Sequence, residues 1–154
     1  MLSARIWMEK TMPRITPLAR EEIGDLEDVF ARAEKALGFV PNSFFIMARQ
    51  PGMLRAFSRL SREVIGVPGK VPLALKRLIA HIASRSAGCQ YCMAHTAESA
   101  ATMDGVDPAK IDAIFDYERS DLFTDAEKAA LSVAQGAGQV PNMVTDADMD
   151  DLKK

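Results

Sequence analysis

Apolar residues recur every three or four positions along most of this chain, which is the spacing that places them on one face of an α-helix. The first such segment opens at Thr16-Pro17, where proline is tolerated in the first helical turn, and ends before Gly38. Further helices are predicted within 39–52, over 54–64, 72–88 and 89–103, from 107 onward, and over 124–136. Because no segment alternates apolar and polar residues at period two, the pattern predicts an all-α protein.

The same stripes predict which side chains form the core. Burying each large apolar side chain is worth about 1.5–3 kcal/mol, so the residues that repeat along each helix face should pack together. The predicted core consists of Leu26, Phe30, Phe57, Leu60, Leu75, Leu78, Ile79, Ile82, Ile111 and Ile114.

The length of 154 residues suits one domain with one sizeable core. Near its end, Thr145 and several aspartates resemble a helix start, and Met149 and Leu152 begin another apolar stripe. The sequence stops at Lys154, scarcely two turns later. We therefore expect a single all-helical domain over 1–154 that lacks a C-terminal helical segment.

Composition restricts the partners and the compartment. The chain is 48% hydrophobic and 26% charged with a formal charge of −2, and it has no basic patch of the kind that binds nucleic acid. It also has no apolar run long enough for a signal peptide or a membrane span. The expected location is the cytoplasm, where paired cysteines are more often catalytic or metal-binding than structural.

Both cysteines of the chain stand in the stretch "SRSAGCQYCMAHTAES", followed by a histidine. At helical spacing, Cys89, Cys92, His95 and Glu98 form one slightly slanting stripe. Two cysteines at this spacing can close a disulfide, and a helix N-terminus and a nearby imidazolium both favour a thiolate. The pattern indicates a redox couple whose proton carrier is the histidine.

Three other interpretations of the cysteine pair compete with this one. Covalent haem attachment is excluded, because Met93 stands where that motif needs histidine. Zinc would have Cys89, Cys92 and His95 as ligands with His81 as a fourth, but three ligands on one helix are cramped. Two buried, reduced cysteines that only pack remain the third alternative.

The other polar residues near the motif have less specific signals. His81 lies beside the apolar stripe of the preceding helix and is either a core histidine or a second functional one. Glu98 is either a solvated helix residue or part of the proton relay. Tyr91 and Met93 are expected to face away from the stripe and to pack.

The stretch "LKRLIAHIASRSAGCQYCMAHTAESA" resembles the alkylhydroperoxidase D-like branch of the carboxymuconolactone decarboxylase family. The segments "LGFVPNSFFIMARQPGMLRAF" and "TDAEKAALSVAQ" are similar to peroxidase-related members. The resemblance implies an all-helical fold that forms homo-oligomers (trimers, hexamers or dimers). It also implies an enzyme with thiol peroxidase and disulfide reductase activity and no bound metal or cofactor. Its partners would be a small organic hydroperoxide and an external dithiol reductant, lipoamide-like or thioredoxin-like.

The resemblance assigns the residues of the motif to roles. It makes Cys92 the residue that peroxide oxidises, Cys89 the one that resolves it, and His95 a proton relay. Two departures stand out, because the best-known members place that histidine where Thr96 stands and a relay glutamate where Arg77 stands. We expect His81 to replace the glutamate, with Glu98 as the second candidate. Decarboxylation is disfavoured, since it does not rely on a cysteine pair.

Two classes of function follow from the sequence. The first is a thiol-dependent peroxidase of antioxidant defence. The second is a non-enzymatic redox-responsive or scaffold protein that keeps the helical fold and the disulfide. Peroxide turnover by the reduced cysteines separates these two classes.

Overall fold

The computed structural model describes residues 13–102 and 106–154. The chain divides into two compact units, with the boundary between Val67 and Pro68. Each unit is helical, and the described residues contain no strand, which confirms the all-α prediction. The single domain that we expect over 1–154 stays a prediction.

The first helix begins later than the sequence suggests. Two short 3-10 turns precede the first α-helix, and Gly24, the first residue of the second turn, adopts a left-handed conformation (φ 61°) that an α-helix does not contain. Gly38 has φ 76° and donates its N–H to the carbonyl of Glu34, so it ends the first helix as predicted. The α-helices of this unit are α1 (Glu27–Leu37), α2 (Asn42–Met47) and α3 (Pro51–Ser61), followed by a π-helical turn (Arg62–Gly66).

The core of the first unit confirms Leu26 and Phe30, which are fully buried, but not two residues of α3. Phe57 is 43% exposed and Leu60 is 63% exposed, so their assignment to the core is wrong. The cause is the rotation of α3, which turns Leu54 into the core. At 3.6 residues per turn, Leu60 then points about 120° away from it. The edge of the Phe57 ring still contacts Phe44, at 6.2 Å between centroids.

The second unit is built around one central helix, which packs most extensively against the two helices that flank it. Its core confirms Leu78, Ile82 and Ile114 as buried, while Ile79 and Ile111 pack on its edge and Leu75 is partly buried. The α-helices of this unit are α4 (Leu73–Ser86, the central one), α5 (Gln90–Thr102), α6 (Pro108–Ala113), α7 (Asp125–Ala137) and α8 (Asp146–Leu152).

Two contacts fix α7 in the second unit. At its start, Thr124 and Glu127 form a capping box, and Lys110 of α6 donates to the Glu127 carboxylate at 2.7 Å. At its end, Gly138 lies so close to α4 that an added Cβ would stand 2.7 Å from the carbonyl oxygen of Ala83. This close approach holds α4, which carries one histidine of the candidate site, against α7.

Candidate functional site

The turn that connects α4 to α5 places the first cysteine. Gly88 adopts a left-handed conformation (φ 68°) and donates its N–H to Arg85, while the next N–H, that of Cys89, reaches back to the carbonyl of Ser84. This pair of hydrogen bonds is a Schellman motif, the common helix ending that requires glycine at the left-handed position. Cys89 therefore completes the end of α4.

Cys89 also begins α5. Its carbonyl accepts from Met93 at 3.0 Å, and its sulfur accepts from the N–H of Cys92 at 3.3 Å, as the side chain of an N-cap residue does. The structure joins Cys89 and Cys92 by a disulfide, with 5.3 Å between their Cα atoms. The sequence prediction that the pair closes a disulfide within one helical turn agrees with this geometry.

His95 lies one turn after Cys92 on α5 and is partly buried. Its Nε2 is 3.1 Å from the hydroxyl of Tyr91, and the two rings meet edge to face at 4.9 Å. Burial lowers the pKa of His95 below the usual histidine value of 6.5. Tyr91 thus orients the histidine, and the expectation that Tyr91 only packs is wrong: residues four apart on a helix are neighbours.

His81 approaches the same helix from α4. The residue is 5% exposed, and its Nδ1 lies 2.9 Å from the hydroxyl of Thr96. The Thr96 hydroxyl also lies 2.8 Å from the carbonyl oxygen of Cys92. The buried histidine of α4 is therefore connected through one hydroxyl to the backbone of the second cysteine.

This arrangement determines which nitrogen of neutral His81 carries the proton. A threonine hydroxyl has a single proton, and two carbonyl oxygens, those of Cys92 (2.8 Å) and Met93 (3.2 Å), are placed to accept it. The Thr96 oxygen then accepts from the His81 ring, so Nδ1 bears the hydrogen and Nε2 keeps its lone pair. A lone pair held in this way is what a general base requires.

The surroundings of His81 keep it uncharged near neutral pH. Burial lowers the pKa of His81, a hydrogen bond with the Met93 backbone opposes that shift, and the positive charge of Arg85 adds to it. Phe115 covers the ring at 5.4 Å between centroids, and the guanidinium of Arg85 lies 3.7 Å from the centre of the same phenyl ring.

Glu98 and Arg77 complete the predicted set. The Glu98 side chain is exposed, and within residues 13–102 and 106–154 no hydrogen bond connects it to a cysteine or a histidine. Arg77 is half-buried on α4, one turn before His81. The structure thus places His81 against α5 through Thr96 and His95 one turn after Cys92, whereas Glu98 faces solvent.

No group of three or more His, Cys, Asp or Glu side chains in the described part of the chain has the geometry to hold a metal ion. None of the helices that the structure describes is both long and apolar enough to cross a membrane.

Comparison with known proteins assigns this site to a family. The model of the carboxymuconolactone decarboxylase family matches residues 51–136, which is more than half of the chain and includes the cysteine pair. The chain belongs to the carboxymuconolactone decarboxylase family. This match confirms the resemblance that the sequence around Cys89 and Cys92 predicts. A search of the curated proteins finds no match.

Solved structures share the fold of this family member. The debrominase Bmp8, as a cysteine-to-alanine variant bound to 2,3,4-tribromopyrrole, is 33% identical with a TM-score of 0.84, covering 93% of this chain and 75% of that one. An alkylhydroperoxidase D core, a peroxidase-related protein from Ralstonia eutropha JMP134, is 22% identical with a TM-score of 0.73, covering 93% and 76%. A peroxidase-related protein from Silicibacter sp. TM1040 is 18% identical with a TM-score of 0.72, covering 93% and 78%. The neighbours and the family indicate an enzyme.

Two polar residues of this family member were missed by the sequence interpretation. Tyr91 carries a signal that spacing reveals, since it lies four residues before His95. Thr96 carries none, because its partner His81 stands on another helix and the contact depends on how α4 and α5 pack.

Proposed function

We propose that this protein is a thiol-dependent oxidoreductase that reduces small organic hydroperoxides through the Cys89–Cys92 couple. The observation that carries the proposal is the disulfide at the start of α5, which has one histidine on the same helix and another reaching it from α4. A cysteine pair that closes without rearranging a helix can be oxidised and reduced repeatedly.

The proposed cycle begins with both cysteines reduced. The thiolate of Cys92 attacks the terminal oxygen of the hydroperoxide, the O–O bond breaks, and the alcohol leaves with a proton. Cys92 is now a sulfenic acid, and the thiol of Cys89 attacks its sulfur, so that the disulfide forms and water leaves. An external dithiol, lipoamide-like or thioredoxin-like, exchanges with the disulfide and returns both thiols. Such a cycle needs a reducing compartment, which the cytoplasm provides.

Two influences compete for the role of attacking residue. The N-terminus of α5 favours a thiolate on Cys89, whose sulfur already accepts an N–H from the first turn. Cys92 lies one turn before His95, which can take the thiol proton and later give a proton to the leaving alkoxide. A helix terminus cannot donate a proton, so we assign peroxide attack to Cys92 and resolution to Cys89. His81 is the second proton carrier, with Nε2 unprotonated. Glu98 is exposed and would exchange protons only with the solvent.

Reductive dehalogenation is the second candidate function, and the similarity to a debrominase at 33% identity favours it. The electron balance is the same, because two thiols and a carbon–bromine bond give a carbon–hydrogen bond, a disulfide and hydrogen bromide. The two candidate functions therefore differ in their substrate and share the Cys89–Cys92 couple.

Two substrates and two cysteine variants test the proposal. The reduced protein is mixed with one equivalent of cumene hydroperoxide or of 2,3,4-tribromopyrrole, and the loss of thiols, the consumption of peroxide and the release of bromide are measured. We expect rapid loss of two thiols with the hydroperoxide. Cys89→Ser should still consume about one equivalent and stop with a sulfenic acid on Cys92, whereas Cys92→Ser should consume almost none.

The other outcomes are equally decisive. Rapid bromide release with slow peroxide consumption would show that the protein is a dehalogenase and not a peroxidase. If Cys92→Ser reacts like the unaltered protein while Cys89→Ser is inert, the roles of the cysteines are reversed. If neither substrate oxidises the protein thiols faster than it oxidises free glutathione, the protein is the redox-responsive or scaffold protein of the alternative hypothesis. The solution mass of the same samples tests the homo-oligomer that the resemblance implies.

A further inference from the structure

We infer that a pocket between α4 and α7 binds a small organic carboxylate, with Arg85 holding the carboxylate group. The pocket has a volume of ≈ 270 Å³, just below the roughly 300–1,000 Å³ of small-molecule sites. No cysteine lines it, and the inference does not rest on the thiol chemistry. Its lining residues are Ile82, Arg85, Ser86, Phe115, Gln135 and Gln139.

The first argument is the number of unused polar groups. Within the described chain, the side chains of Ser86, Gln135 and Gln139 accept and donate no intramolecular hydrogen bond, although all three are half-buried. No buried side-chain polar atom of the described residues lacks a partner, so the polar atoms of these three side chains reach the solvent in the pocket. Three such groups around one hollow are donors and acceptors that a ligand entering it can use.

The second argument is the state of Arg85. Its guanidinium stacks 3.7 Å above the centre of the Phe115 ring, and no carboxylate of the described residues pairs with it. A guanidinium stacked by its face keeps its N–H donors in its own plane, where they stay available for a bidentate partner. The helix dipole favours a cation such as Arg85 near the C-terminus of α4. It does not explain the three polar side chains without protein partners around Arg85.

The charge and shape of the pocket define the class of ligand. The six lining residues include one cation and no acid, so the pocket favours an anion. The planar fork of an arginine matches a carboxylate, and the two glutamine amides match a hydroxyl or carbonyl group. The apolar part of the lining is small, because Ile82 is almost fully buried and the Phe115 ring already contacts Arg85 and His81. The ligand is therefore a small carboxylic acid that carries a hydroxyl or carbonyl group.

The experiment uses two probes that differ only in charge. The full-length oxidised protein, labelled with ¹⁵N, is titrated with 4-hydroxybenzoate and with 4-hydroxybenzamide while the side-chain signals of arginine and glutamine are followed. We expect saturable shifts with the acid at Arg85 Nε and at the amides of Gln135 and Gln139, and binding of the neutral amide at least ten times weaker.

Two variants and a matched control make the result decisive. Arg85→Gln should weaken binding of the acid by about 10–100-fold, the range for a hydrogen bond to a charged group, while Arg119→Gln on the exposed surface of the same unit should not. Gln135→Glu places a carboxylate in the pocket, leaves Arg85 intact and should weaken binding as well. Equal binding of acid and amide, shifts spread over the surface, or an unaltered affinity in both pocket variants would overturn the inference.

Discussion

The hydroxyl of Thr96 joins His81 on α4 to the backbone of Cys92 on α5 and fixes the tautomer of a buried histidine. Thr96→Val keeps the size of the side chain and removes the oxygen that accepts from Nδ1–H. We expect unfolding to become easier by about 1–3 kcal/mol, because the ring nitrogen loses its partner. The Nδ1–H form, read from ¹⁵N chemical shifts of the ring, should lose population.

Thr96→Ser is the matched control for this prediction, since it keeps the oxygen and removes only a methyl group. It should preserve the Nδ1–H tautomer. A tautomer that stays the same in Thr96→Val would mean that the Met93 backbone alone orients the ring.

Tyr91 provides a second prediction at this scale. Tyr91→Phe keeps the edge-to-face contact with His95 and removes the hydroxyl at 3.1 Å. One such hydrogen bond is worth about 0.5–1.5 kcal/mol, so under the proposed function peroxide reduction should slow by about 2–10-fold with stability almost unchanged. In a His95→Ala background the same change should have no effect on the rate. Additive losses in the double variant would show that Tyr91 acts independently of His95.

At the scale of single residues, the sequence predicts what lies on one helix better than what crosses between two. The order of Cys89, Cys92 and His95 along α5 follows from spacing alone. The position of Glu98 on that helix is equally predictable, but its exposure is not, since exposure depends on which neighbours cover it. The Thr96–His81 contact needs the packing of two helices, which no local pattern contains.

Among the helices, the approach of α7 to α4 at Gly138 supports a prediction about stability. Gly138 has an ordinary helical conformation, so an added Cβ brings no backbone strain, only contacts at 2.7 Å with the Ala83 oxygen and 2.8 Å with the Ser86 Cβ. Backbone atoms cannot move aside cheaply, and Gly138→Ala should therefore destabilise the protein by about 1–3 kcal/mol in denaturant titrations.

Gly52 is the control for this effect. It lies in α3, and nothing stands within 4 Å of an added Cβ. Gly52→Ala should therefore stabilise the protein by about 0.5–1 kcal/mol through the unfolded chain. Equal responses of the two alanine variants would show that α4 and α7 separate easily.

Helix boundaries were predictable where a residue type dictates them. Gly38, Gly88 and the Thr124–Glu127 capping box all act as the sequence predicts. The errors occur where neighbouring structure decides, as in the delayed start of α1. They also occur in the rotation of α3, which leaves Phe57 and Leu60 exposed although their spacing is regular.

For the whole molecule, the lowered pKa values predict loss of stability in acid. Burial lowers the pKa of His81 and of His95 below the ordinary value of 6.5. Below pH 6.5 these histidines therefore bind protons in the unfolded chain but not in the folded protein. The free energy of unfolding falls with pH until the folded pKa values are reached. A second loss begins near pH 4.5 as unfolded Glu127 is protonated, and it proceeds as pH falls through the lower folded pKa. Burial opposes that shift of Glu127, but hydrogen bonds from Lys110 and Thr124 outweigh it.

Urea titrations from pH 8 down to about pH 2 measure both steps. His81→Gln should flatten the first step, and Glu127→Gln the second. A free energy of unfolding that stays constant between pH 7 and pH 5 in the unaltered protein would contradict the buried, neutral state of His81.

Cys89 ends α4 and begins α5, so under the proposed function the residue that forms and breaks the disulfide also connects the two helices. Bulky alkylation of its sulfur takes away the acceptor of the Cys92 N–H and should loosen the first turn of α5. The amide proton of Cys92 would then exchange with deuterated solvent faster, while that of Cys89, bound to Ser84, would keep its rate. The ratio of the exchange rates at the Cys92 and Cys89 amides therefore reports the chemical state of the Cys89 sulfur without a direct measurement of thiols.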